Sequence, residues 1–348
     1  MKSVKSVRHA QKKSELLNKE WYSTRSILGN DWAFWYILLG GREAGKSYDV
    51  MRFCLKQWKE KGKPFTWMRL NKSSLDKMLA NNGDKFIDAD LRRKFDIDLT
   101  VKAGQLFDHG KPMARALCLS TFYNDKGTAL FDNEYKLGYN IVLDEMNKEA
   151  TAEKNNFDIV YALVNELENL VRSTKENLNI FLIGNTLEEA SAIMARGFHF
   201  IPQQFGRYYL RSKKAVVDYI PPSAKYLARR KGTVADILAP DASTFTNKIE
   251  LSTKQIVKNR LTRPQCVLCF SKSKGDWFTI WAGNIITPYN GEQVRRVAMR
   301  PYIDELFNAK ERDAIFAMYD NEEFFFRDLF GQSSFKSQMA LLKPRGGA

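Results

Sequence analysis

Eight residues, GlyGlyArgGluAlaGlyLysSer at 40–47, satisfy the spacing G-x-x-x-x-G-K-[ST] in the one context where that spacing carries a mechanism. AlaPheTrpTyrIleLeuLeu (33–39) precedes them, a continuous apolar run suited to a strand buried on both faces. After them Val50, Met51, Cys54, Leu55 and Trp58 recur at helical spacing towards Lys61, and Gly62, Lys63 and Pro64 end the helix. Strand, glycine turn and helix in register predict a phosphate-binding loop. Gly40 and Gly45 let backbone amides approach phosphate oxygens that a Cβ would block, and the helix N-terminus adds partial positive charge. Lys46 is expected to reach the β- and γ-phosphates and Ser47 to offer its hydroxyl to Mg²⁺, with Gly41, Arg42, Glu43 and Ala44 completing the turn around the nucleotide. ATP and Mg²⁺ are therefore the expected cofactors.

Further strands are expected at 65–70 (PheThrTrpMetArgLeu), 114–120, 140–144 and 178–183, the second reached through a hairpin turn at AspHisGlyLys (108–111). A helix between the last two places Val160, Leu163, Val164, Leu167, Leu170 and Val171 on one stripe. Strands alternating with helices predict an α/β fold with helices on both faces of the sheet. AsnIleValLeuAspGlu (140–145) ends an apolar strand in two acids. Asp144 can hold the Mg²⁺ shell and Glu145 can polarise a water, a pairing that NTP-hydrolysing motors need and small-molecule kinases do not. Alone, such a strand end is ordinary; paired with the loop at 40–47 it reads as the hydrolytic half of one site. Asn185 and Thr186 follow the next strand, where the carboxyl ends of neighbouring parallel strands converge on one crevice. Arg172 and Lys175 end the long helix, and an arginine near a γ-phosphate is worth roughly 10³ to 10⁵ in rate. Arg172 is the candidate for action on a neighbouring subunit's nucleotide, whereas Arg42 can act in cis or only orient the loop.

The 348 residues carry 55 Lys and Arg against 40 Asp and Glu, a net charge of +15 that points to a polyanionic partner. Between Arg207 and Arg263 thirteen basic residues face four acids, so much of the excess lies there, beside ProPro at 221–222. The expected organisation is a basic arm or frayed helix at 1–31, the nucleotide domain at 32–205, a basic linker or hinge subdomain at 206–260 and a small α+β domain at 261–348. Four cysteines do not make a disulfide framework, and no secretory leader is visible, so a reducing, intracellular setting is expected. Cys266 and Cys269 form a CxxC, but within a strand reading their side chains diverge, which argues against a metal site. The three histidines lie far apart in the chain, and no apolar run approaches the ~18 residues of a membrane span.

The loop at 40–47, TrpMetArgLeuAsnLys (67–72), LeuPheAspHisGlyLys (106–111), LeuAspGlu (143–145) and IleGlyAsn (183–185) resemble, in order and spacing, the genome-packaging ATPases of small tailed phages of the phi29 type. The resemblance is most specific from Ile37 to Asn185. It implies a terminase-like P-loop fold of the additional-strand (ASCE, RecA-like) class and a C-terminal domain like an RNase H-type nuclease without its metal-binding acids. It further implies a pentameric ring at the portal of an empty capsid, pumping double-stranded DNA inward, in the host cytoplasm; whether an RNA mediates the attachment stays open. Lys46, Ser47, Asp144 and Glu145 match the family's nucleotide positions, and Arg172 falls where the family places its trans-acting arginine, with Lys175 as a rival. Lys72 matches a lysine facing the ring's pore, and Lys126 a basic position at the subunit interface. GlnCysValLeuCysPheSer (265–271) has no carboxylate, so no nuclease activity is expected, Asp276 being isolated. A helicase or other P-loop nucleic-acid motor shares every one of these motifs, and an ATP-gated DNA-binding or assembly protein is the non-motor alternative.

Overall fold

The computed structural model describes residues 7–10, 20–121, 138–146, 158–171, 177–185, 193–202, 204–238, 255–269, 277–289, 298–300 and 309–342. The chain divides into two compact units. One comprises Val4–Glu188 and Pro202–Ile249, the other Met1–Ser3, Glu189–Ile201 and Glu250–Ala348.

In the first unit, ten strands of the described residues form one sheet. They are β1 (Val7–Ala10), β2 (Trp35–Leu39), β3 (Phe65–Arg69), β4 (Leu99–Lys102), β5 (Gln105–Asp108), β6 (Lys111–Cys118), β7 (Tyr139–Asp144), β8 (Leu178–Gly184), β9 (Gly206–Leu210) and β10 (Ala215–Tyr219), in the order β1-β9-β10-β2-β8-β7-β3-β6-β5-β4. The six from β10 to β6 run parallel. Antiparallel strands close both flanks. All six residues of β7 are buried, as are the last four of β2, which is why these strands read as unbroken apolar runs and not as alternating ones. The helices are α1 (Lys46–Lys61), α2 (Lys72–Gly83), α3 (Ala89–Phe95), α4 (Ile159–Val171), α5 (Ala224–Arg230) and α6 (Val234–Leu238). Val50, Met51, Cys54 and Leu55 of α1 pack with Trp67, Val142 and Phe181 in one core. His109 and Gly110, both at positive φ, make the two-residue turn between β5 and β6.

Three expectations need correction. The stripe of α4 is rotated: Ile159, Ala162, Leu163, Leu167 and Leu170 are buried, whereas Val164 is 53% exposed and Val160 only half-buried. At 100° per residue those two fall off the face that the others define. Gly206–Tyr219, assigned by charge to a linker, supplies β9 and β10, and β10 pairs in parallel with β2 from Ala215↔Trp35 to Tyr219↔Leu39. Three of its four cations, Arg211, Lys213 and Lys214, occupy the exposed turn between two buried strands, so the charge count masked the apolar backbone of the segment. Lastly, Val7–Ala10 of the basic arm is a strand, antiparallel to β9.

In the second unit β11 (Pro264–Cys269), β12 (Trp277–Trp281), β13 (Ile285–Pro288), β14 (Ala298–Arg300) and β15 (Phe325–Phe326) form a sheet in the order β14-β11-β12-β13-β15. With α7 (Ala309–Asp320) and α8 (Leu329–Leu342) it encloses Phe278, Ile280, Ile286, Phe316, Phe324, Phe326, Phe335 and Met339. A π-helical turn at Ile193–Phe198, within the range expected for the nucleotide domain, belongs to this unit. No helix of the described residues is long and apolar enough to cross a membrane.

Candidate nucleotide site

The loop between β2 and α1 is closed on itself through Lys46. Its Nζ donates to the carbonyls of Gly40 at 2.8 Å and Gly41 at 2.7 Å, and the side chain is 5% exposed. Burial lowers the ammonium's pKa to about 8, against an opposing pull from Asp144. Gly45 sits at φ +83, strained for any L side chain, and a Cβ there would lie 3.4 Å from the Trp21 ring. Tyr22 N donates to Ala44 O at 2.8 Å, so the segment ahead of β2 braces the loop from outside. Asp49, in the first turn of α1, accepts from Thr24 N at 2.6 Å and Thr24 Oγ1 at 2.8 Å, which ties the same segment to the helix.

Opposite the loop, β7 delivers its two acids. Ser47 Oγ donates to Asp144 Oδ1 at 2.8 Å, joining residues 97 positions apart. Asp144 is buried, and desolvation raises its carboxyl above the usual range; Glu145 adds to the rise, while Arg69, Ser47 and Lys46 pull it down. Arg69, the last residue of β3, spans both acids, 3.2 Å from Asp144 Oδ2 and 2.5 Å from Glu145 Oε2. Glu145 leaves the strand at φ +62, a left-handed conformation that costs a non-glycine residue roughly 1–2 kcal/mol, and its side chain is half exposed. Between the two halves lies β8. Gly40 N donates to Gly184 O at 3.2 Å and Met146 N to Ile183 O at 2.9 Å, so Asn185, the next residue of the chain, stands at the strand end that joins loop and acids.

Lys46, Ser47, Asp144, Glu145 and the strand end leading to Asn185 thus converge on one crevice at the carboxyl edge of the parallel strands. Gly40, Gly41, Arg42, Glu43, Ala44 and Gly45 form its turn. Lys72 opens α2 on the same edge after β3 and pairs with Asp76 at 2.5 Å. Lys126, Arg172, Lys175 and Thr186 lie outside the described residues. Arg69 escaped the sequence reading, although a charge at the carboxyl end of an apolar strand is the same signal that singled out Asp144. A buried ammonium turned into a glycine loop, beside a hydroxyl and a carboxylate 2.8 Å apart, fits a nucleotide phosphate chain with Mg²⁺, a cation that takes oxygen ligands.

Loop, acids and an intervening strand give the chain the P-loop fold of the additional-strand class. The family model of the podovirus DNA encapsidation protein (Gp16) matches residues 17–314, and the chain belongs to that family, whose members package phage DNA. Among solved structures it is similar to the phi-28 gp11 DNA packaging motor, with TM-score 0.65 at 14% identity over 94% of this chain and 100% of that one. It is likewise similar to the bacteriophage phi-29 viral genome packaging motor assembly, with TM-score 0.61 at 17% identity over 93% and 100%. At these identities the likeness is one of fold. No curated protein matches the chain.

Proposed function

We propose that this protein hydrolyses ATP to drive double-stranded DNA into a preformed viral capsid. The observation that carries the reading is the meeting of Lys46, Ser47, Asp144 and Glu145 at one sheet edge, with Ser47 bonded to Asp144 across 97 positions. Lys46 would turn from its own loop carbonyls to the phosphate oxygens. Ser47 and Asp144 would hold Mg²⁺, which when bound neutralises charge on those oxygens. Glu145 Oε would accept the proton of the attacking water, a general-base contribution of about 10² to 10⁴ in rate. Arg69 holds that carboxylate, so the pair must open before Glu145 can act. Asn185, on the strand between loop and acids, is suited to register the γ-phosphate.

Membership of the packaging family supports the remaining parts of the proposal. Subunits act as a ring, a pentamer by resemblance, at the portal of the empty capsid in the host cell; Arg172 reaches a neighbour's nucleotide, and Lys72 and Lys126 meet DNA. No nuclease step is assigned, since β11 carries no carboxylate. Lys46→Ala should abolish both nucleotide binding and ATP-dependent uptake of DNA into capsids. A variant that still did both would remove the loop from the mechanism.

A further inference from the structure

Within the loop, Glu43 is held in an unusual way. It adopts φ +58, where a glycine would be at ease, and it places a carboxylate in a turn built to receive anions. Two consecutive arginines at the end of α5, 186 positions or more away in sequence, hold it there. Arg229 Nη2 donates to the Glu43 carbonyl at 3.2 Å, and Arg230 Nη1 pairs with Glu43 Oε2 at 2.8 Å. The arginines are themselves positioned. Ser223 Oγ caps α5 by accepting from Tyr226 N at 3.1 Å, Tyr226 is buried, and the Arg229 guanidinium stacks at 4.0 Å on Trp21, the ring that lies against Gly45. Arg230 is largely buried, whereas the Glu43 carboxylate is half exposed, with solvent on its outer side.

We infer that Arg230 is a further nucleotide-binding residue, kept at the loop by Glu43 as a stand-in for phosphate and released to the triphosphate when that arrives. The inference rests on the nucleotide reading of the loop. Glu43 and the phosphate are both anions and compete for one guanidinium, while Arg229, bonded to a backbone carbonyl, keeps α5 at the loop throughout. Exchange of partners at Arg230 gives α5 and the following α6 a contact that depends on whether nucleotide is bound. A purely structural pair, in which Arg230 only neutralises Glu43, makes a different prediction.

Equilibrium binding of the slowly hydrolysed fluorescent analogue mant-ATPγS with Mg²⁺ to the full chain separates the two. Glu43→Gln should bind about 5-fold more tightly and Arg230→Gln about 5-fold more weakly, the lower end of ordinary coupling between sites. The double variant should remain as weak as Arg230→Gln, because the phosphate contact is gone. A Glu43→Gln protein that binds no more tightly, or a double variant restored to wild-type affinity, would overturn the proposal. Arg230→Lys, which keeps the charge, should lie between wild type and Arg230→Gln and serves if the latter folds poorly. Lys46→Ala runs alongside: loss of binding isolates the result to Arg230 and Glu43, whereas unchanged binding overturns the nucleotide reading and this inference with it.

Discussion

Lys46 shows what burying an ammonium costs when its partners are only backbone carbonyls, for its pKa falls to about 8 from an ordinary 10.5. Below about pH 8 the group is protonated folded or unfolded. Between about 8 and 10.5 the unfolded chain holds a proton that the folded one has released, so this group's contribution to stability rises with pH. Phosphate binding has the opposite dependence because it needs the ammonium. Nucleotide affinity should therefore weaken above about pH 8, by up to about tenfold per unit for a single proton. Calorimetric titration in buffers of different ionisation enthalpy should show proton uptake on binding, and a flat profile from pH 7 to 9.5 would contradict this account of Lys46. At Glu145, replacement by Gln should leave binding intact and slow turnover by about 10² or more; near-normal turnover would assign the base elsewhere. The loop and acid pair were legible because their chemistry fixes residue types at fixed spacing. Arg69 and the Arg230–Glu43 pair were not, since an ion pair between distant residues depends on which strand ends and helix ends the fold brings together.

Elements were read most reliably where one signal governed them. Strands β2, β3, β7 and β8 and helix α1 follow from apolar runs and helical spacing, with turns marked by glycine. The reading failed where two signals conflicted, as in β9 and β10, whose turn ArgSerLysLys at 211–214 outweighed the apolar AlaValValAspTyr that follows it. One of those conflicting residues now has a structural role. Arg207 on β9 makes a two-pronged pair with Asp218 on β10 at 2.6 and 2.8 Å, Asp218 also accepts from Tyr22 OH at 2.8 Å, and all three side chains are buried. Tyr22 in turn bonds the loop at Ala44, so the sheet edge and the nucleotide loop share one brace. Removing one member of a buried pair costs about 3–5 kcal/mol, because its partner is left charged and unpaired. Asp218→Ala should lose about that much in urea unfolding of the intact chain. A loss under about 1 kcal/mol would mean that the brace is not needed.

Across the whole molecule, the +15 net charge says only that a polyanion is welcome. The fold distributes part of it to the exposed sheet turn at 211–214 and part to α5, where Arg229, exposed, and Arg230, largely buried, both contact Glu43 of the 40–47 loop. Among the described residues the cations thus lie in more than one place. DNA affinity should still fall steeply and linearly in log-log with salt, since phosphate contacts release counterions, and a flat dependence would argue against backbone binding. Mixing Arg172→Ala subunits with Glu145→Gln subunits should restore part of the ATPase activity if Arg172 acts on a neighbour; no recovery would place its action within one chain. As a motor, this family member would couple ATP hydrolysis to DNA entry. That coupling is tested most directly by the rate of ATP turnover of the full protein with the cognate empty capsid and DNA, against either component alone. Marked stimulation is expected only when both are present, and is expected to be lost in Glu145→Gln. Packaging of DNA at full extent with no rise in turnover, or undiminished in that variant, would contradict the coupling.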